Sequence, residues 1–176
     1  VGQLHDIQAA LCWIGEHITQ FPVSPDNIFI TGDSAGACLS LLTLLIEHND
    51  DAAHAFGIER ASGIHLRGAS LISGVYDITP SSPMRARLAE TVGNEFFAGL
   101  DDAPLFLVTS SDDFVQSETL ALATSLARNG RDFELHDFKV PCTQTLGHVF
   151  PVGMTWLPES ERVLHGIREF SYPLTR

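Results

Sequence analysis

The sequence predicts an α/β fold in which a parallel sheet is covered by helices on both faces. Short apolar or β-branched runs alternate along the chain with segments that carry helical spacing. These runs are mostly continuous in hydrophobicity, which is typical of parallel strands with no solvent-facing side. No internal repeat, low-complexity tract or Gly/Ser linker interrupts the order, so residues 1–176 are predicted to form a single domain.

The first helix and the first strand follow directly from local patterns. Apolar residues recur at three- and four-residue steps over residues 3–20, which predicts an amphipathic helix. Pro22 and Pro25 end it. The β-branched and aromatic run at 28–31 then predicts a strand that is buried on both faces.

The remaining elements continue the same alternation. The stretch 49–63 is polar and acidic, and we predict it to be a surface loop. The other predicted elements are, in order, a helix at 35–48, a strand at 68–73, a short helix at 85–97, a strand at 105–109, a helix at 117–128, a strand at 132–140 and a helix at 159–170.

Charge and composition argue against two classes of function. The formal net charge is −12 and the ten Lys and Arg residues form no stripe, which disfavours nucleic-acid binding. No apolar run reaches the roughly 18 residues of a membrane-spanning helix. The three cysteines are widely spaced, which favours reduced thiols and a cytoplasmic location over a disulfide framework.

A Gly-x-Ser-x-Gly motif lies between the strand at 28–31 and the helix that follows it. Its residues are Gly32, Asp33, Ser34, Ala35 and Gly36. In this context the motif predicts a nucleophile elbow, where small neighbours let Ser34 occupy a sharp turn. The backbone N–H of Ala35 is then the expected oxyanion donor. The alternative is a glycine-rich turn with no chemistry.

A base and an acid for Ser34 follow it in the chain order that such an elbow requires. Asp112 and Asp113 come after the strand at 105–109, and His148 lies in a glycine-flanked loop after the strand at 132–140. Both loops are at the carboxyl ends of predicted parallel strands, where open sheets place their sites. Either aspartate could instead cap the helix that follows. No Cys/His cluster has zinc spacing, and we expect neither a metal nor an organic cofactor.

Four stretches of the chain resemble the α/β-hydrolases, in particular the branch of hormone-sensitive-lipase-like esterases and the related acyl-aminoester and formamide hydrolases. The stretches are VSPDNIFITGDSAGACLSLL, ASLISGVYDITP, PLFLVTSSDDFV with the helix after it, and LGHVFP. The resemblance implies a Ser34–His148–Asp triad. In this branch the acid lies about nine residues after the proline that precedes its strand, and counting from Pro104 indicates Asp113, with Asp112 as the alternate.

The resemblance also implies parts that the sequence does not contain. In this branch a His-Gly-Gly loop before the nucleophile completes the oxyanion hole, and no His-Gly-Gly occurs in the chain. About four further strands would precede the helix at 3–20. We therefore expect the chain to be the C-terminal part of the fold. A missing N-terminal segment, or a second copy of the chain, would cover the otherwise unpaired edge of the first strand.

The function predicted from these residues is hydrolysis of small or short-acyl carboxylic esters through an acyl-enzyme on Ser34. An arylformamidase-type amide hydrolase is an alternative, because GVYDITP resembles that side of the branch. A non-catalytic fragment with a vestigial triad is another, because the oxyanion loop is missing. Phe96, Phe97 and Phe150 could line an apolar substrate pocket, although core packing explains phenylalanines equally well.

Overall fold

The computed structural model describes residues 2–76, 100 and 103–176, and its strands form one parallel sheet. In sheet order the strands are β1 (Ile28–Asp33), β2 (Leu66–Ile72), β3 (Leu105–Ser110) and β4 (Phe133–Phe138). Each lies within two residues of its predicted bounds. The predicted α/β class with a parallel sheet is therefore confirmed. One row of paired residues crosses the whole sheet near its carboxyl edge: Asp33, Ile72, Val108 and His136.

The helices lie between and after these strands. They are α1 (Gly2–His17), α2 (Ala35–His48), α3 (Asp50–Phe56), α4 (Gln116–Arg128), α5 (Phe150–Gly153) and α6 (Pro158–Ser171), with short 3₁₀ turns at Ile18–Gln20 and Tyr172–Thr175. The helix predicted at 85–97 falls outside the described residues. Of the helices in the described ranges, none has the length and apolar character needed to cross a bilayer.

Two hydrophobic cores cover the two faces of the sheet, because neighbouring residues of a strand point in opposite directions. Leu105 and Leu107 of β3 pack into a core that includes residues of α1, α2, α3 and α4. Phe106 and Val108, the alternate residues of the same strand, pack into a second core that includes residues of α6. Every residue of β3 is buried. The predicted covering of the sheet by helices on both faces is therefore confirmed.

The segment predicted as a surface loop at 49–63 contains α3, so that prediction is wrong for residues 50–56. The side chain of Asn49 accepts a hydrogen bond of 2.9 Å from the backbone N–H of Ala52 and caps the helix. Two aspartates occupy its first turn, where the helix dipole favours negative charge. Gly57 ends the helix in the left-handed conformation, with φ of 65°. The acidic composition that suggested a loop is thus the composition of a helix N-terminus.

The first strand differs from its prediction in burial. All six residues of β1 are partly or fully exposed, so the expectation that this strand is buried on both faces is wrong. The reason is its place in the sheet, since β1 pairs with β2 on one side and no described strand lies on the other. In contrast, six of the seven residues of β2 are buried.

Tyr76 is a buried aromatic side chain that follows the end of β2. It is 4% exposed, and its ring lies over Gly74 so closely that a Cβ there would come within 2.2 Å of the ring carbon Cζ. Burial raises the pKa of the Tyr76 phenol well above its ordinary value of 10.0, and the neighbouring Cys38 acts in the same direction. Thr119 opposes the shift only in part. Tyr76 therefore stays neutral at pH values where a solvated tyrosine ionises.

Replacement of Tyr76 should make the free energy of unfolding less dependent on pH in the alkaline range. The pKa of Tyr76 is higher in the folded protein than in the unfolded chain. The free energy of unfolding therefore keeps its full value below pH 10 and falls above pH 10, where Tyr76 ionises in the unfolded chain but not in the folded protein. Above pH 10 the free energy of unfolding of the wild type should fall by up to about 1.4 kcal/mol per pH unit because of Tyr76, and in Tyr76→Phe this decrease should be absent. Urea unfolding at about pH 9 and pH 11 measures the difference. Tyr172→Phe, at a residue that is 58% exposed, is the matched control and should follow the wild type. An unchanged alkaline slope in Tyr76→Phe would contradict this assignment.

Candidate active site

Ser34 occupies the sharp turn between β1 and α2. Its φ is 53°, a left-handed backbone conformation that non-glycine residues rarely adopt. The backbone N–H of Ser34 donates to the carbonyl of Ile72 over 2.9 Å, which holds the turn against the end of β2. Its own carbonyl accepts from Ala37 N–H over 3.1 Å in the first turn of α2. The serine side chain is thus presented at the carboxyl edge of the sheet.

The two glycines of the motif have different surroundings. A Cβ on Gly32 would lie 2.2 Å from the carbonyl oxygen of Gly36 and 2.6 Å from Ser40 Oγ, so a side chain at Gly32 would force α2 away from β1. A Cβ on Gly36 would meet none of the described atoms within 4 Å. Among the described atoms there is therefore room for a side chain at Gly36 but not at Gly32.

His148 bridges the serine and one of the two candidate acids. Its Nε2 lies 2.9 Å from Ser34 Oγ and its Nδ1 lies 3.0 Å from Asp113 Oδ1. The Asp113 side chain is fully buried, whereas the imidazole is 22% exposed. In the tautomer that protonates Nδ1, this N–H donates to the carboxylate and Nε2 accepts from the serine hydroxyl. The arrangement can therefore take a proton from Ser34 as its oxygen attacks a substrate.

The structure gives the two neighbouring aspartates different partners. Asp113 Oδ1 binds the imidazole and also accepts from Val115 N–H over 3.0 Å, at the start of α4. Asp112 instead accepts from the Ser110 hydroxyl over 2.8 Å and from the backbone N–H groups of residues 146 and 147 over 2.9 and 3.1 Å. Its slight burial raises the pKa of Asp112, but these hydrogen bonds outweigh that effect and hold the pKa below its ordinary value of 3.8.

The predicted oxyanion donor lies directly beside the serine. Ala35 is the first residue of α2 and is exposed, so its N–H is at the positive end of the helix dipole. In the described ranges, no group of three or more His, Cys, Asp or Glu residues is arranged to hold a metal ion.

An exposed phenylalanine that sequence reasoning did not assign to the site covers the imidazole. The ring of Phe114 is 79% exposed, and its centroid lies 4.5 Å from that of His148. The only signal in the sequence was its position directly after the acid. Phe150, by contrast, is fully buried and packs against Phe138 in the second core, which agrees with core packing, the other explanation given for it. Phe96 and Phe97 fall outside the described residues.

Comparisons with known proteins concern the fold and the sequence of the chain. Residues 2–103 match a family described by the alpha/beta hydrolase fold. Esterase LipQ of Mycobacterium tuberculosis is 33% identical over 115 residues, which are 64% of this chain and 27% of LipQ. The probable carboxylic ester hydrolase LipM of the same organism is 39% identical over 74 residues, which are 42% of this chain and 16% of LipM.

Solved structures extend the likeness over nearly the whole chain. Esterase B from Lactobacillus rhamnosis, in a crystal structure with a C4-C4 tributyrin phosphonate, superposes with a TM-score of 0.83 at 24% sequence identity. The match covers 98% of this chain and 60% of that one. The esterase LipW of Mycobacterium marinum gives a TM-score of 0.66 at 19% identity. The chain thus spans 60% of the length of esterase B, and its matched regions span 27% and 16% of the two curated relatives.

The two glycines of the elbow form a matched pair of substitutions. Gly32→Ala should lower the free energy of unfolding by about 3 kcal/mol or prevent folding, because a methyl group there meets backbone atoms that cannot move independently. Gly36→Ala should stay within about 1 kcal/mol of the wild type, because the position is helical and open. Urea unfolding followed by circular dichroism measures both. Equal losses in the two variants would show that the close approach at Gly32 does not set the elbow.

Proposed function

The chain belongs to the alpha/beta-hydrolase family, and from this premise we propose that it carries the Ser-His-Asp triad of a serine hydrolase that cleaves carboxylic esters. The observation that carries the proposal is the double contact of His148, 2.9 Å to Ser34 Oγ and 3.0 Å to Asp113 Oδ1. The three residues come from loops after three different strands, so the contact between them results from the tertiary fold and not from proximity in the sequence.

The proposed reaction proceeds through an acyl-enzyme. Ser34 Oγ attacks the ester carbonyl while His148 Nε2 takes the hydroxyl proton, and the buried Asp113 carboxylate stabilises the imidazolium. Collapse of the tetrahedral intermediate breaks the ester C–O bond, and His148 returns the proton to the departing alcohol. Water, deprotonated by His148, then attacks the acyl group and releases the carboxylic acid and free Ser34.

The negative charge of the tetrahedral intermediate needs hydrogen-bond donors. We propose the N–H of Ala35 as one of them, since it lies next to Ser34 at the N-terminus of α2. Loss of a single such donor typically lowers kcat by about 10²–10³-fold. No His-Gly-Gly stretch occurs in residues 1–176, and Ala35 is the one donor proposed from them.

Esters with short acyl groups are the proposed substrates. Both curated relatives are named for ester hydrolysis, and the esterase B structure was obtained with a C4-C4 tributyrin phosphonate. The exposed ring of Phe114 beside His148 offers apolar contact to such a substrate. The formamidase alternative has no comparable support, because neither of these curated relatives is named for amide hydrolysis. We also propose a cytoplasmic location, on the number and wide spacing of the cysteines, none of which forms a disulfide.

Two assays on one pair of variants test the proposal. Labelling by a fluorophosphonate reports an activated serine, and release of p-nitrophenol from p-nitrophenyl butyrate reports turnover. Ser34→Ala should abolish labelling and lower kcat/KM by at least about 10³-fold. Ser62→Ala is the matched control, because Ser62 is an exposed serine in the loop that precedes β2, at the opposite edge of the sheet.

The two readouts separate the alternatives. Loss of both turnover and labelling in Ser34→Ala, with both retained in Ser62→Ala, would support the ester hydrolase. Labelling of Ser34 without turnover would support an activated serine but would contradict ester hydrolysis by this chain. A wild-type protein that neither reacts with the probe nor hydrolyses the ester would favour the non-catalytic alternative and overturn the proposal.

A further inference from the structure

The loop that carries His148 has a positive φ on both sides of the histidine, and the value on the Val149 side is unfavourable. Gly147 has φ of 72° and Val149 has φ of 52°. Glycine adopts such values readily, but for a β-branched residue they are a costly outlier. A conformation of this kind persists only where the surrounding structure holds it in place.

Two side chains from other loops hold the backbone on either side of the histidine. On one side, Asp112 Oδ2 accepts from Leu146 N–H over 2.9 Å and from Gly147 N–H over 3.1 Å. On the other side, Ser73 Oγ accepts from Val149 N–H over 3.3 Å. Asp112 follows β3 and Ser73 follows β2, so the histidine loop is fastened to two neighbouring strands of the sheet.

The Asp112 carboxylate is itself oriented from below. The hydroxyl of Ser110, a fully buried residue at the end of β3, donates to Asp112 Oδ1 over 2.8 Å. With Oδ1 engaged there, Oδ2 faces the two backbone N–H groups of the histidine loop. Asp112 is ionised at neutral pH, and its negative charge strengthens each hydrogen bond that it accepts.

We propose that Asp112 is a positioning residue, which together with Ser73 fastens the His148 loop so that the imidazole reaches Ser34 and Asp113 at the same time. This inference rests on the proposed function. A ring held at 2.9 and 3.0 Å by groups on two other loops tolerates little displacement, and a shift of about 1 Å in a reacting group lowers rates by up to about 10²-fold. Asp112 lies at the surface, so water can replace some of the hydrogen bonds that its carboxylate accepts. The decrease in rate expected on its removal is therefore smaller than about 10²-fold.

The role of geometry can be separated from the role of charge at this position. An asparagine can place its carbonyl oxygen where Oδ2 lies and accept from both backbone N–H groups, while its NH₂ donates to the Ser110 oxygen. Asp112→Asn therefore keeps the fastening and removes the charge. Asp112→Ala removes both.

Steady-state kinetics on p-nitrophenyl butyrate tests this separation. Asp112→Ala should lower kcat about 10-fold with KM within about 2-fold of the wild type, because the substrate contacts are intact and only the base is misplaced. Asp112→Asn should keep kcat within about 3-fold. Asn49→Ala is the control, since it removes another side-chain acceptor of a backbone N–H, the cap of α3, and should leave kcat unchanged. A wild-type kcat in Asp112→Ala, or an equal loss in Asp112→Asn, would overturn the proposal.

Hydrogen exchange gives a readout that does not need catalysis. In Asp112→Ala the amides of residues 146 and 147 should exchange about 10-fold faster than in the wild type, while those of β3 keep their protection. Unchanged exchange at these two amides would refute the fastening even in an active enzyme. If wild-type protein and Ser34→Ala are equally inactive, the proposed function fails, and the exchange experiment still decides whether Asp112 holds the loop.

Discussion

The register of the parallel sheet is the constraint on which the candidate site depends. Paired residues align the carboxyl ends of the strands in one row: Asp33, Ile72, Val108 and His136. Two cores clamp the central strands from both faces, so the register cannot slip without exposing buried residues. The next residues along each strand therefore emerge at one edge, and Ser34, Ser73 and Asp113 lie there because β1, β2 and β3 end there.

Backbone strain is concentrated at the same edge. Among the described residues, the non-glycine positions with positive φ are Ser34, Ser73 and Val149. Conformations of this kind cost of order 1–3 kcal/mol each. They occur where hydrogen bonds to a neighbouring strand or loop hold the backbone. The bonds join Ser34 N–H to the Ile72 carbonyl, Ser73 N–H to the Val108 carbonyl, and Val149 N–H to Ser73 Oγ. The cores below the edge supply the stability that offsets this cost.

Local sequence patterns predict the fold correctly where they also reflect how deeply a segment is buried in the tertiary structure. The apolar runs of β2 and β3 indicated buried strands, because a strand covered on both faces has no polar side. The same reasoning failed for β1, because its burial depends on strands to both sides and it pairs with only one strand among the described residues. It also failed for α3, because a capping Asn49 followed by two acidic residues has the same composition as an acidic loop.

The sequence by itself determined the order of the chemistry: a serine between small residues after one strand, acids after another, and a histidine after the last. Only the tertiary structure decided which aspartate meets the imidazole. Asp112 and Asp113 are adjacent, but consecutive side chains leave the backbone in different directions, one toward the buried ring and one toward the backbone of the histidine loop. The same holds for Phe114, Phe150 and Ser73, because contact with His148 or with a core depends on how distant loops meet.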